Sequence, residues 1–340
     1  MIRIDGSYLE GGGQILRTAT TLSVFLGIPC HLYNIRRKRK NPGLKDQHLA
    51  GLFALRDLSQ GRIEGGFIGS QEIKFYPGKG FRKRIKVKIK TAGSVTLILQ
   101  SLMIPAASLN FPIKISFEGG ATETHFSPTL NYIKEVVLPI LKKMGYKMEI
   151  EVFKRGYFPQ GGAKVEVTVF PWKEKKPLFL LKRGKLKKIK IFSYASFSLR
   201  LKRVAERQAL EGERLLEKYK KFLKKEIEYF KTRGAGSSFD LIAVFQKTRK
   251  GSNALGMIGR SSEKVAQKAV DFFKKEISSS ACLDSFMGDQ ILPYLALVPK
   301  ESQVSVTRLT RHAQTNIWVI EKFLKGKFRI LGNLIKWVPS

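Results

Sequence analysis

The chain has 340 residues, 43% of them hydrophobic, which suits two domains better than one and gives each enough apolar surface for a core. Its 63 Lys and Arg against 27 Asp and Glu leave a formal charge of +36, a field that attracts polyanions and makes their binding salt-dependent. Two distant cysteines, Cys30 and Cys282, and four histidines with no HxxxH pair argue against a disulfide scaffold, a zinc ribbon and a histidine-built metal centre. Charge alone does not name a partner, because the lysines run along the whole chain, as they do in proteins of organisms that live hot. The longest apolar stretch, 95–109, is interrupted by Gln100 and Ser101 and is too short to span a bilayer. Strand-like Ile2 and Ile4 stand at the start, where a signal peptide would not begin. The expectation is a soluble, cytoplasmic protein with no membrane partner.

The first fifty residues organise the rest. Glu10 precedes Gly11, Gly12 and Gly13, and apolar residues then recur at helical spacing from Ile15 to Leu26. Glycine lets backbone N–H groups approach a ligand, and a helix N-terminus leaves those groups unpaired with about half a positive charge. The stretch therefore reads as an anion site, with Arg17 on the first turns of the helix. No Gly-Lys-Ser/Thr follows, so it is not the phosphate loop of nucleoside triphosphatases. The helix stops at Gly27 and Pro29. A strand over 30–35, five cations from Arg36 to Lys40, a turn at Asn41-Pro42-Gly43 and a second helix opened by Gln47 and His48 follow.

A helix, a glycine or proline stop and a strand recur at 14–35, 94–117, 128–153 and 287–306, with shorter strands at 73–76, 84–89 and 164–170. Such repetition predicts an α+β fold of βαβαββ-like units, each with one helical layer on one sheet. The segment 155–162 reads as a tight turn with two aromatics available to stack on bases. Near Lys182 the composition changes. A lysine-dense segment leads to a charged helix over about 202–230, a strand over 241–246, a glycine-rich stretch at 251–259 and a helix over 263–277. Residues 183–278 are expected to form a small inserted α/β domain, and 1–182 with 279–340 the large one. The charged helix reads as a solvated amphipathic face, with RNA contact the weaker alternative.

No Ser, His and acid form a hydrolase signature, and neither cysteine lies in an activating context. His31 falls in a strand, His48 opens a helix and His125 lies in a polar loop. His312 falls between a strand over 303–309 and a helix over about 316–324, flanked by Arg308 and Arg311. Neighbouring cations favour the neutral, nucleophilic imidazole. From the residues alone a structural histidine remains open here, and Phe286 and Met287 read as core.

The segments EGGGQILRT at 10–18 and IRRKRKNPGLKDQHL at 35–49 resemble the N-terminal signature of RNA 3′-terminal phosphate cyclases. RGYFPQGG at 155–162, GSNALG at 251–256, FMGDQILPYLAL at 286–297 and HAQTNIWVIEKF at 312–323 fit the same family in the same order. The resemblance implies a large domain of repeated units with a smaller insert. It also implies ATP-dependent conversion of an RNA 3′-terminal phosphate to a 2′,3′-cyclic phosphate, through a histidine–AMP intermediate and RNA-3′-pp-A. His312 matches the adenylylated histidine. ATP contacts are carried onto Gln100, Pro128, Phe286, Met287, Gly288, Asp289 and Gln290, with Phe286 stacking on adenine. Arg17, Arg39 and Gln47 are expected at phosphates, and Glu10 at Mg²⁺ or Mn²⁺. The partners implied are RNA 3′ ends.

The sequence departs from the family at HAQTN, where a leucine usually follows the histidine, at Ala163 in place of a third glycine, and in ASFSLRLK before 204–208. The last two put RNA-facing details in doubt and leave the adenylylation centre intact. Three other readings compete: a non-catalytic cyclase-like factor binding ribosomal RNA, an enolpyruvyl-type transferase, and a general RNA-binding module. The first should lack His312, the second has no use for the charge excess, and the third leaves the motifs unexplained.

Overall fold

Parallel neighbouring strands cannot be joined by a hairpin and need a crossover. In the computed structural model, which describes residues 1–340, one helical crossover pattern is used three times. The first unit comprises β1 (Ile2–Asp5), α1 (Gly13–Leu26), β2 (Cys30–Tyr33), α2 (Asp46–Ser59), β3 (Arg62–Glu64) and β4 (Ile73–Tyr76). Its sheet is ordered β1-β2-β4-β3, with the first pair parallel and the others antiparallel. The second unit comprises β5 (Arg84–Ser94), α3 (Val95–Ala107), β6 (Ile113–Ala121), the helical run α4, β7 (Met148–Lys154) and β8 (Lys164–Val169), ordered β5-β6-β8-β7. Here α4 runs from Leu130–Tyr132 through a π turn, Ile133–Val137, to Leu138–Lys143.

The third unit starts with β9 (Phe179–Leu180) and is then interrupted. The interrupting residues form β10 (Leu186–Ser196), α5 (Val204–Leu215), β11 (Leu223–Phe230), β12 (Ser237–Phe245), β13 (Arg249–Leu255) and α6 (Ser262–Ser278). The third unit resumes with α7 (Ser285–Ala296), β14 (Ser302–Ser305), α8 (Arg311–Phe323), β15 (Lys327–Leu331) and β16 (Leu334–Val338). Its sheet order, β9-β14-β16-β15, repeats that of the other two, with β9 parallel to β14. The helix–strand pieces expected at 94–117 and 128–153 are thus two halves of one unit.

Strand alternation sets the layers. In β8, Val165, Val167 and Val169 are buried, whereas Lys164 and Glu166 face out. Helix α3 is apolar nearly all round because it lies among α1, α2 and β6. Helix α1 packs on α2, α3 and α8, so the first and third units share their helical layer. Phe117 is fully buried in β6, an inner strand of its sheet. Phe117→Ala should cost about 3–5 kcal/mol, read as a lower denaturant midpoint at unchanged slope.

In the interrupting sheet, ordered β11-β10-β12-β13, all nine residues of β12 are buried. Phe239, Leu241 and Ala243 share a second core with Val265, Ala269 and Phe273 of α6, while Ile242 and Val244 join the main core. At that junction the buried Arg155 pairs with Glu123 at 2.6 Å, and its NH2 donates to Asn131 Oδ1 at 3.0 Å. Asn131 Nδ2 in turn donates to Asp240 Oδ2 of β12 at 3.2 Å.

Three expectations are corrected. The helix over 202–230 is only α5, followed by a 3-10 turn (Glu217–Phe222) and β11. Lysine and glutamate alternation suits either element, but β10 offers an edge, and parallel pairing from Ile189↔Leu223 to Ser196↔Phe230 satisfies the β11 backbone. The glycine-rich stretch at 251–259 contributes β13, where a side chain on Gly251 would come within 2.9 Å of the Tyr132 ring. The strand over 303–309 ends at Ser305, and α8 begins at Arg311, because Thr310 Oγ1 accepts from the Ala313 amide at 2.9 Å and caps the helix early. His312 therefore stands on the first turn of a helix. No helix is long and apolar enough to cross a membrane.

Candidate active site

Two helix N-termini meet at the head of one cleft. Helix α1 starts from Gly11-Gly12-Gly13, with Gly11 at φ +54, and α8 starts from its Thr310 cap. Unpaired amides of both first turns make this corner positive. The loop before α1 carries Glu10, whose Oε2 lies 2.5 Å from His312 Nδ1. That loop is held to α8 by Tyr8, stacked on Trp318 with ring centroids 4.2 Å apart. Gln14 Nε2 donates to the His312 carbonyl at 3.1 Å. Thr18 Oγ1 donates to Asn316 Oδ1 at 2.7 Å, and Asn316 Nδ2 donates to the Asp289 carbonyl at 2.9 Å, so α1, α7 and α8 are locked together.

Burial holds the His312 imidazole below its ordinary value; Arg17 and Arg39 push the same way and Glu10 opposes them. A neutral ring beside a carboxylate keeps its proton on Nδ1, leaving the Nε2 lone pair free. Burial lowers the Arg17 guanidinium to about 10, so it remains a cation at neutral pH. His48 packs against Gly13, and burial with the charges of Arg17, Arg36 and Lys45 drives it down to about 3. It is thus a neutral wall, and its Nδ1 accepts from the Lys45 amide at 3.1 Å. Burial raises Asp289 to about 7, with Asp284 and Glu10 adding; its Oδ1 accepts from Thr310 Oγ1, which opposes the shift.

From this corner a cleft of about 980 Å³ runs between the large units and β13. Gln100 Nε2 donates to Gln290 Oε1 at 2.6 Å across its floor. Phe286, 42% exposed, forms one wall: its ring meets Tyr132 edge-on at 6.3 Å and lies parallel to Phe272 at 5.2 Å. Pro128, Met103 and Tyr294 add apolar surface. A flat apolar slot at one end and a cationic corner at the other suit a ligand with a ring and an anionic tail.

Glu10, Arg17, Gln100, Pro128, Phe286, Asp289, Gln290 and His312 all line this cleft. Arg39 is not on its lining but lies over the start of α1, where a side chain on Gly12 would come 3.2 Å from its NH2. Gln47 shares a narrow crevice with Arg17 and His48, and its Oε1 accepts from the Ser94 amide at 2.8 Å. Met287 is fully buried, and a side chain on Gly288 would press within 2.9 Å of Val306. Met287 therefore points into the core and Gly288 lets α7 approach the chain just beyond β14, and neither lines the cleft.

Sequence reasoning missed Gln14, Thr18, Thr310 and Tyr132. Thr310 was legible as a capping residue three before Ala313. Tyr132 carried no signal, since an aromatic on an amphipathic helix reads as core. Its hydroxyl donates to Asp284 Oδ1 at 2.6 Å, and Asp284 Oδ2 accepts from the Gly251 amide at 2.8 Å, which ties the wall to β13.

No group of three His, Cys, Asp or Glu stands together that would hold a metal. Glu10 is the carboxylate beside His312, which suits an ion such as Mg²⁺ that keeps its waters and takes other ligands from substrate phosphates.

A family profile described as RNA 3′-terminal phosphate cyclase matches residues 8–330. A Thermococcus kodakarensis protein named RNA 3′-terminal phosphate cyclase is 43% identical, covering 98% of this chain and 96% of its own. Proteins of the same name from Methanopyrus kandleri and Pyrococcus abyssi are 41% and 39% identical, covering 98% and 99% of this chain and 96% and 97% of their own.

Proposed function

The chain belongs to the RNA 3′-terminal phosphate cyclase family, and on that premise we propose that it spends ATP to turn an RNA 3′-terminal phosphate into a 2′,3′-cyclic phosphate through an adenylylated His312. The observation that carries this reading is the Glu10–His312 contact at the junction of two helix N-termini. Glu10 keeps the proton on Nδ1, and Nε2 attacks the α-phosphorus of ATP. A P–N bond forms, the bond to the bridging oxygen breaks and pyrophosphate leaves. An oxygen of the RNA 3′-phosphate then attacks the same phosphorus and releases His312, giving RNA-3′-pp-A. Finally the neighbouring 2′-OH attacks the 3′-phosphorus, loses its proton and expels AMP. Ring closure is intramolecular, so holding the end in place supplies much of the rate.

Arg17, Arg39 and Gln47 are assigned to the phosphates. Gln100, Pro128, Phe286, Asp289 and Gln290 are assigned to the nucleoside, with Phe286 against the base. Met287 and Gly288 serve the ATP site by seating α7. A bound Mg²⁺ or Mn²⁺, with Glu10 as its protein ligand, would neutralise phosphate charge. We take 183–278 as a domain inserted into a large one of 1–182 and 279–340. Its separate fourteen-residue core supports that division.

The test is incubation with α-³²P-ATP and a divalent metal, without RNA. Label should appear on the protein and leave when RNA with a 3′-phosphate, but not a 3′-hydroxyl, is added. Protonated imidazole has no lone pair to offer, so labelling should rise with pH. Because His312 is held below its ordinary value, the midpoint should fall under about 6.5. Absence of label across that range overturns the reading.

A further inference from the structure

A second groove of about 440 Å³ opens beside the cleft and shares Asn253, Lys268 and Phe286 with it. One face of α6 lines it. Lys264, Lys268 and Lys275 are exposed there at helical spacing, and none of the three is in an ion pair. The groove's one acid, Asp271, already accepts from Gln267 Nε2 at 2.6 Å. The opposite face of α6 is spent on the second core. These lysines therefore serve no fold contact, and their field points into a channel that leads to the cleft.

Where the groove joins the cleft, at Lys268, a loop of the second unit lines the cleft side. Phe126 is fully exposed at φ +59, a conformation that a bulky side chain rarely adopts. Phe158, 52% exposed, lies beside it, with His125 edge-on to the Phe158 ring at 5.5 Å. Lys268 and Arg260 of the inserted segment lie near enough to act on His125, so cations and aromatic rings face each other. Unstacked bases settle on exposed rings, and cations track a backbone; the two together are what a single strand needs and a protein partner does not.

We propose that the α6 groove and the Phe126–Phe158 rim form a channel for the single-stranded RNA segment that leads to the reacting 3′ end. This rests on the cyclase reading and assigns the inserted segment its part in it. The channel contacts nucleotides upstream of the terminal phosphate, so it acts on long acceptors and not on ATP.

The experiment compares wild type, Lys264→Ala/Lys275→Ala and Phe126→Ala, using a dinucleotide and a dodecamer that both carry a 3′-phosphate. Dodecamer affinity is titrated against salt, and adenylylation without RNA is measured on the same preparations. The double lysine variant should bind the dodecamer with a log–log salt slope shallower by about 1.4, at about 0.7 per lost contact on a single strand. Phe126→Ala should weaken dodecamer binding on the order of tenfold, the loss of one stacked base. The dinucleotide KM and the adenylylation rate should stay at wild-type values in the lysine variant, whose two residues lie outside the cleft. An unchanged salt slope overturns the channel, as does a duplex dodecamer that competes as well as the single strand. Loss of adenylylation in the lysine variant also overturns it, because those lysines would then serve ATP. If wild type takes no label at all, the cyclase reading fails, and the salt titration still decides the channel on its own.

Discussion

His312→Ala should take no label from α-labelled ATP and cyclise no 3′-phosphate RNA, a loss limited only by the sensitivity of the assay. The cleft holds no second nucleophile in an activated state. The Tyr132 hydroxyl is pushed far above the phenolic range by burial and is donated to Asp284. Cys30 is fully buried away from the cleft, and burial raises its thiol to about 12. His125 lines the cleft too, but its neighbours are Phe158, Lys268 and Arg260, with no carboxylate against the ring to fix its proton on one nitrogen. Fold loss does not confound the result: the His312 side chain is 47% exposed, and Thr310 caps α8 without it. Circular dichroism and the thermal midpoint should therefore match wild type. One activity should survive. RNA-3′-pp-A supplied ready-made needs no histidine for ring closure, so the alanine variant should still release AMP from it. Labelling of the variant at the wild-type rate would end the proposal.

Glu10→Gln should slow adenylylation by about a hundredfold to ten-thousandfold, the range over which a positioned proton acceptor contributes. Glutamine keeps the size of the side chain but can turn an amide N–H toward Nδ1, which favours the wrong tautomer and moves the proton to the attacking nitrogen. The charge also matters. Glu10 is the one neighbour that raises the His312 value, so its removal should move the pH midpoint further down. Two readouts separate this role from simple metal binding. If Glu10 served the ion alone, excess Mn²⁺ should restore the rate and the pH midpoint should not move. A shifted midpoint that added metal does not restore assigns the carboxylate to the imidazole.

What was legible in the sequence was local. Gly11 to Gly13 before an apolar helix can be read without knowing what lies opposite, and so can the run of helix and strand repeats. The inward valines of β8 follow from alternation alone. Charged segments were harder. LKKEIEYF at 223–230 suits a helix surface or an edge strand, and only the presence of β10 decides between them. Site membership was harder still when it depended on helical phase. Met287 follows Phe286 in sequence but points into the core, about 100° round α7. Contacts that join the two ends of the chain, Tyr8 to Trp318 and Glu10 to His312, have no local pattern. They come from the packing of α1 on α8, which no window of neighbouring residues contains.

The break in the third unit also has a bearing on how the chain acquires its shape. The first two units are each continuous, so each can close its sheet as soon as its last strand has left the ribosome. The third cannot. Leu180 pairs with Val304, and the whole inserted segment is synthesised between them. Pairing across that span carries a large loop-closure cost unless the intervening chain has first collapsed and brought its ends together. Helix α1 can pack on α2 and α3 early, but the side that meets α8 and the glycine corner stay uncovered until α8 arrives. Closure of the corner between α1 and α8 should therefore come late in folding, and truncation between 182 and 310 should yield chains that keep the first two sheets but lack His312 and the α8 side of that corner.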